Sequence, residues 1–152
     1  RGVGGVCHFF NAARPIHHRT PGVLTAALLN KNIYCEAICD LVHNHAGVLR
    51  LIYQNKGPRR MMTVSDSTAP NSLADGTYFA GSHTVIVRDG VQYTPEGRLS
   101  GGGALLDKAA RNLISIGISP EDAFSMASQT PAECGRDAAD RAICHLRMWR
   151  HQ

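Results

Sequence analysis

Three short apolar runs, Gly2–Cys7, Ile33–Cys39 and Met61–Ser65, punctuate the first half of the chain, and a helical pattern follows each of them. Runs this short and this uniformly apolar predict strands buried on both faces, as in a parallel sheet. Between the first two, Val23–Asn30 reads VLTAALLN and predicts a helix. Between the second and third, Ala46–Asn55 sets Val48, Leu49, Leu51 and Ile52 at helical spacing, and Lys56-Gly57-Pro58 stops it. Asn11–Gly22 holds two prolines and an Arg/His cluster with no period, which predicts a loop of the kind that carries function.

Before the helix that follows the third run, the rhythm changes. Asp75-Gly76, Asp89-Gly90 and Glu96-Gly97 are turn signals around the alternating run Thr84–Arg88, predicting a small antiparallel excursion from about Thr77 to Leu99. Gly101-Gly102-Gly103 then leads into an amphipathic helix over Ala104–Ile116, with Leu105, Ala109, Leu113 and Ile116 on one face. A glycine triplet ahead of a helix can cradle a phosphate, but without the Lys-Ser/Thr of a P-loop it does not signal a nucleoside triphosphate. Ser119-Pro120-Glu121-Asp122 is a strong helix start, and that helix is expected to run to about Gln129, before Thr130-Pro131. Beyond Ala132 the pattern is lost: Glu133–Gln152 is rich in arginine and alanine and predicts a short helix at most. The expected division is therefore 1–132, an α/β unit with its β insertion at about 75–100, and 133–152, an atypical tail.

Polar residues stand where the apolar runs end. His8 follows the first, the tetrad Asp40-Leu41-Val42-His43 the second, and Asp66 the third, with 35 residues between the two histidines and 23 from His43 to Asp66. Those separations are about one βα unit each. In a β/α barrel the carboxyl ends of successive strands converge on one mouth, so residues so placed can share a substrate. Histidine and aspartate at such ends suit metal ligation and acid–base chemistry. The expected fold is α/β, the C-terminal portion of a TIM-type β/α barrel with a small antiparallel β hairpin insertion. A whole barrel takes roughly 250 residues and this chain has 152, so it is expected to be an incomplete fragment lacking its N-terminal half.

Composition narrows the partners. The net charge of +4 is concentrated locally, with Arg136, Arg141, Arg147 and Arg150 near the end and Arg59-Arg60 as a pair. No basic stripe alternates with aromatics, so no nucleic-acid partner is expected. No apolar stretch approaches the ~20 residues of a membrane span, and there is no signal-like segment, which together predict a cytoplasmic protein with no membrane partner. The five cysteines include no Cys-x-x-Cys pair, and Cys7, Cys35 and Cys39 lie inside apolar runs, as small buried hydrophobes in a reducing compartment do.

Taken singly, each candidate has an ordinary alternative. His8 suits a metal ligand through a neutral imidazole nitrogen, or a histidine satisfied by a backbone carbonyl. Asp66 suits an acid–base, or a turn or helix-capping aspartate ahead of Ser67 and Thr68. Arg19, with His18, suits a clamp on a phosphate or carboxylate, or a pair of solvated loop residues. His17 and His45 look secondary, and His83 belongs to the surface of the hairpin.

Taken together they are more specific. His8-Phe9-Phe10-Asn11-Ala12, Arg19-Thr20-Pro21-Gly22, Asp40-Leu41-Val42-His43, Val64-Ser65-Asp66, Asp75-Gly76-Thr77-Tyr78, Leu99-Ser100-Gly101 and Ala110-Arg111-Asn112-Leu113 occur in that order. The set, covering about Gly2 to Ala132, resembles the N-acetylglucosamine-6-phosphate deacetylase family of metal-dependent amidohydrolases. The resemblance implies that His8 is a metal ligand, that Asn11, Ala12 and His43 contact the sugar, that Arg19 pairs with its phosphate, and that Asp66 is the catalytic acid–base. It implies a divalent metal, zinc or iron, a phosphorylated amino-sugar substrate and a homodimeric parent. The implied reaction releases acetate and glucosamine 6-phosphate from N-acetylglucosamine 6-phosphate, in amino-sugar catabolism. The galactosamine isomer is an alternative substrate, and a non-catalytic remnant of the fold an alternative class. The family's glutamate and second histidine ligands have no counterpart in this chain, nor do the C-terminal strands of its small β-sandwich. Ala13 stands where the family usually has methionine, and Thr20 where it is commonly acidic. Residues 1–152 alone are accordingly expected to be inactive.

Overall fold

A computed structural model describes residues 3–137 and 142–144. In chain order its elements are β1 (Val3–Val6), α1 (Gly22–Leu29), β2 (Tyr34–Ile38), α2 (Ala46–Lys56), β3 (Met61–Val64), β4 (Gly76–Ala80), β5 (His83–Arg88), β6 (Val91–Tyr93), α3 (Leu106–Ser115), α4 (Pro120–Ala127), α5 (Gln129–Asp137) and β7 (Ala142–Cys144). The three apolar runs became β1, β2 and β3, and they lie side by side. The main sheet has the order β3-β2-β1-β7 with every neighbouring pair parallel. A second sheet, β4-β5-β6, is antiparallel and is the predicted excursion, ending at Tyr93 with one further bridge to Leu99.

Alternation along the parallel strands sorts their side chains between two faces. Cys35, Ala37 and Cys39 with Met61 join the main core, where Leu24, Ala27 and Leu28 of α1, Leu49 and Ile52 of α2, Ala109 and Leu113 of α3 and Ala123 and Met126 of α4 meet them. The alternate residues Tyr34 and Met62 pack with Cys134 of α5. Burial on both faces explains why these strands read as continuous apolar runs rather than alternating ones.

Lys56 was expected only as part of a helix stop. It is 6% exposed, and its ammonium donates to the carbonyls of Ala27 (2.9 Å) and Asn30 (2.7 Å). Those are end carbonyls of α1, left without intrahelical partners, so a lysine of α2 caps its neighbour. Gly57 does end α2, in the left-handed conformation at φ +63°.

Two expectations are corrected. Leu105 does not share the buried face of its helix: it is the extended N-cap residue, 51% exposed, so the 3.6-residue period starts after it. Thr130-Pro131 does not end a helix but lies in the first turn of a new one, where proline's missing N–H costs nothing. The break falls at Ser128 instead. Helix α5 then runs to Asp137, and β7 adds a strand beside β1 in a stretch with no sequence pattern. Of the tail assigned to 133–152, residues 138–141 and 145–152, with Arg141, Arg147 and Arg150, lie outside the described residues. Among the described residues no helix is long and apolar enough to cross a membrane.

Candidate active site

Because β1, β2 and β3 are adjacent and parallel, the loops leaving their carboxyl ends share one edge of the sheet, and these carry His8, His43 and Asp66. The chain coils tightly after β1, with positive φ at His8 (+32°), Phe10 (+72°) and Ala12 (+55°), a region that non-glycine residues seldom occupy. Phe9, fully buried, anchors the coil: its N–H donates to Glu36 O of β2 at 2.6 Å. His8 Nδ1 lies 3.1 Å from Asn11 O, Asn11 N–H donates to His8 O (2.8 Å) and the Asn11 amide donates to Phe9 O (3.2 Å). His8 and Asn11 thus brace one another in a single turn, with Ala12 exposed beside them.

At the end of β2, two asparagines donate to successive backbone carbonyls. Asn44 donates to Ile38 O at 3.0 Å and Asn112 of α3 to Cys39 O at 2.9 Å. The next residue, Asp40, is the most connected polar group of the edge, and the sequence analysis gave it no role. Its Oδ1 accepts from the N–H groups of Val42 (2.9 Å) and His43 (2.8 Å). Its Oδ2 lies 2.7 Å from His43 Nδ1 and accepts from Gly103 N–H at 3.0 Å. The side chains of His43 and Asp40 are 6% and 2% exposed. Burial pushes the Asp40 carboxyl up, but the His43 imidazole and the Gly103, His43 and Val42 N–H groups outweigh it and hold the acid well below its usual value near 3.8.

A group whose folded pKa is depressed contributes stability above its unfolded pKa and loses it as pH falls towards the folded value. The melting temperature is therefore expected to drop on acidification below about pH 4, and Asp40→Asn should remove part of that acid limb. Parallel melting curves for the two proteins between pH 7 and pH 3 would show this depression to be immaterial.

The glycine triplet is an internal clasp rather than a phosphate cradle. Gly103 N–H is committed to Asp40, and Gly102 N–H donates to Asp66 O at 2.7 Å. Gly102 O accepts from the amide of Gln92 (3.2 Å), a fully buried residue of β6 that also takes a hydrogen bond from Thr68. A Cβ on Gly102 would lie 1.7 Å from Ser65 O, so the loop after β3 and the triplet touch backbone to backbone. This is why glycine is required there.

Asp66 has φ +48° and is exposed. No helix begins there, which disposes of the helix-cap alternative. Its carbonyl is held by Gly102, while its carboxylate makes no hydrogen bond among the described residues. Arg19 is exposed on the loop after β1, its Nη1 2.8 Å from His18 Nε2, and His17 and His18 stack with ring centroids 4.5 Å apart. Among the described residues Arg19 makes no hydrogen bond to His8, His43 or Asp66. His45 is structural, accepting from Gly47 N–H as the N-cap of α2, and His83 is exposed on β5.

No group of three histidine, cysteine, aspartate or glutamate residues that could hold a metal exists among the described residues. Burial pushes the Cys35 thiol up to about 11 and the Cys39 thiol up to about 12, so both are protonated packing groups at neutral pH. These donors alone do not fit a complete metal centre.

Polar side chains gathered at the carboxyl ends of a parallel sheet place the molecule among α/β proteins that build their sites on that edge. Known proteins narrow this. N-acetylglucosamine-6-phosphate deacetylase of Vibrio furnissii is 34% identical over 133 residues, which are 87% of this chain and 33% of that protein. A protein of Escherichia coli described as a putative N-acetylgalactosamine-6-phosphate deacetylase is 32% identical over 126 residues, 82% of this chain and 75% of its own length. The crystal structure of N-acetylglucosamine-6-phosphate deacetylase from Thermotoga maritima superposes with a TM-score of 0.83 at 33% identity, over 90% of this chain and 38% of that one. No family model matches. The chain belongs to the N-acetylglucosamine-6-phosphate deacetylase family, alongside relatives named for the galactosamine isomer. It spans about a third of the length of the Vibrio relative.

Proposed function

We propose that the protein hydrolyses the acetamide of N-acetylglucosamine 6-phosphate, releasing acetate and glucosamine 6-phosphate, and that the described residues supply part of that active site. The observation that carries the proposal is the placement of His8, His43 and Asp66 after three consecutive parallel strands, in a chain of this family. In this reading the parallel sheet is an arc of a β/α barrel, with 1–132 its barrel portion and 133–152 a stretch whose described part, the end of α5 and β7, packs onto that portion.

Asp66 is the acid–base: its carboxylate takes the proton of the attacking water as the new C–O bond forms, and returns it to the amide nitrogen so that the C–N bond then breaks and the amine departs. Its exposure, with no hydrogen bond to satisfy among the described residues, leaves both oxygens open to a reactant. Asn11 and Ala12 form the wall beside the sugar, and His43 contacts the sugar itself. His8 is the one residue offered as a ligand to a divalent metal, zinc or iron. The donors among the described residues do not by themselves make a complete centre. The partner is the phosphorylated amino sugar rather than nucleic acid or membrane, and the whole protein is read as a cytoplasmic homodimer.

An acetate-release assay on the protein at its natural length tests the activity, with N-acetylglucosamine 6-phosphate and its galactosamine isomer compared by kcat/KM. The relative of which this chain covers 75% is named for the galactosamine compound, and it supports the second reading of the substrate. Release from neither sugar rejects the proposal, and preference for the galactosamine isomer rejects its first form.

Arg19 is the proposed phosphate clamp. A charge-assisted contact of this kind contributes about 1.5–3 kcal/mol. Arg19→Ala is therefore expected to raise KM for the phosphorylated sugar roughly tenfold or more, with turnover of the unphosphorylated analogue almost unaltered. Equal losses on both would make Arg19 a structural residue.

A further inference from the structure

Asp40 and the imidazole it holds are both almost wholly buried, their side chains 2% and 6% exposed. Each oxygen of its carboxylate receives two groups: Oδ1 the Val42 and His43 N–H, and Oδ2 the Gly103 N–H and the His43 Nδ1. An ionised carboxylate is an acceptor only, so the hydrogen between Oδ2 and Nδ1 has to reside on Nδ1. His43 Nε2, in contrast, makes no hydrogen bond among the described residues. No buried side-chain nitrogen or oxygen there lacks a partner, so Nε2 is the tip of the ring that reaches solvent.

We propose that Asp40 is a positioning residue which fixes the neutral His43 ring as the Nδ1–H tautomer, turning Nε2 outward as an acceptor for a hydroxyl of the sugar. Which nitrogen of an imidazole is free to act is set by the bond that the other one makes. Gly103 N–H, from 63 residues along the chain, adds a constraint on the carboxylate that is independent of the local turn. The position of Asp40 is thereby tied to the clasp that also holds Asp66, through the neighbouring N–H of Gly102. The proposal rests on the reading of His43 as a sugar contact, and deepens it by assigning the atom, its role as acceptor and the residue that imposes the role.

The test uses the protein at its natural length with 15N-labelled histidine, observed by NMR at a pH above the imidazole titration. His43 should carry its hydrogen on Nδ1, a result that needs no variant and so does not depend on any variant folding. Asp40→Asn offers an amide in place of the carboxylate, and the hydrogen should move to Nε2. KM for N-acetylglucosamine 6-phosphate should then rise about tenfold with a smaller change in kcat, the effect of losing one hydrogen bond to substrate. A wild-type ring protonated on Nε2 overturns the proposal, as does an Asp40→Asn protein whose His43 keeps the wild-type tautomer. His43→Asn tests the underlying reading separately: its amide can replace Nδ1 on Asp40 but nothing replaces Nε2, so an unchanged KM shows that His43 does not touch the sugar. That result defeats the contact even where the NMR result upholds the tautomer.

Discussion

Asp66→Asn, made in the protein at its natural length, is expected to lower kcat by about 10²–10⁴-fold, the contribution usual for a positioned general acid–base. KM should change little and the melting temperature should stay within a degree or two of the parent. The reason lies in how the residue is held. Its backbone is fixed by the left-handed φ and by Gly102 N–H on its carbonyl, neither of which the substitution alters. Its exposed carboxylate has no hydrogen bond among the described residues, so the amide removes proton transfer and no internal contact. Acetate release near the parental rate would take the acid–base role away from Asp66 and with it the main chemical claim.

The largest effect on stability should come from Gly102→Ala. The added methyl would sit 1.7 Å from Ser65 O and 2.9 Å from its carbonyl carbon, and backbone atoms cannot swing aside as the end of a flexible side chain can. The loop after β3 has to separate from the triplet, breaking the bonds from Gly102 to Asp66 and from Gln92 to Gly102. A loss of about 3 kcal/mol or more is expected, above the usual range for overpacking because polar bonds go with it. Gly135→Ala is the control. Gly135 lies in α5 with nothing within 4 Å of its would-be Cβ, so alanine should be neutral or stabilise by up to about 1 kcal/mol. Chemical denaturation of both proteins measures the difference, and equal midpoints would mean that the contact between the two loops is loose.

The parallel strands and the helices between them were legible because burial on two faces writes itself as uninterrupted apolar runs, and packing on one face as a 3.6-residue period. Such signals are local. The residues that the sequence analysis passed over are held by distant ones. Asp40 was visible as part of a tetrad, but its weight comes from Gly103, and no local pattern records that meeting. The glycine triplet was visible too, but its partners were not, since an N–H aimed at a ligand and one aimed at a neighbouring loop look alike in a sequence. Lys56 reads as a polar helix end until Ala27 and Asn30 are found beneath it. Thr130-Pro131 failed for a different reason: proline marks both the stop after one helix and the first turn of the next, and only one residue separates α4 from α5.

The left-handed residues on the loops after β1, β2 and β3 bear on how such a protein can change over generations. His8, Phe10, Ala12, Leu41 and Asp66 all hold a backbone conformation that glycine would adopt at less cost. Selection for heat resistance alone would find easy gains there, Ala12 and Leu41 first, because neither has a polar side chain to lose. The same changes would slacken the coils that hold His8 and Asp40 in place. A lineage that keeps bulky residues at these positions is retaining strain for the sake of aim, and one that drifts to glycine has stopped needing the edge of this sheet to be stiff.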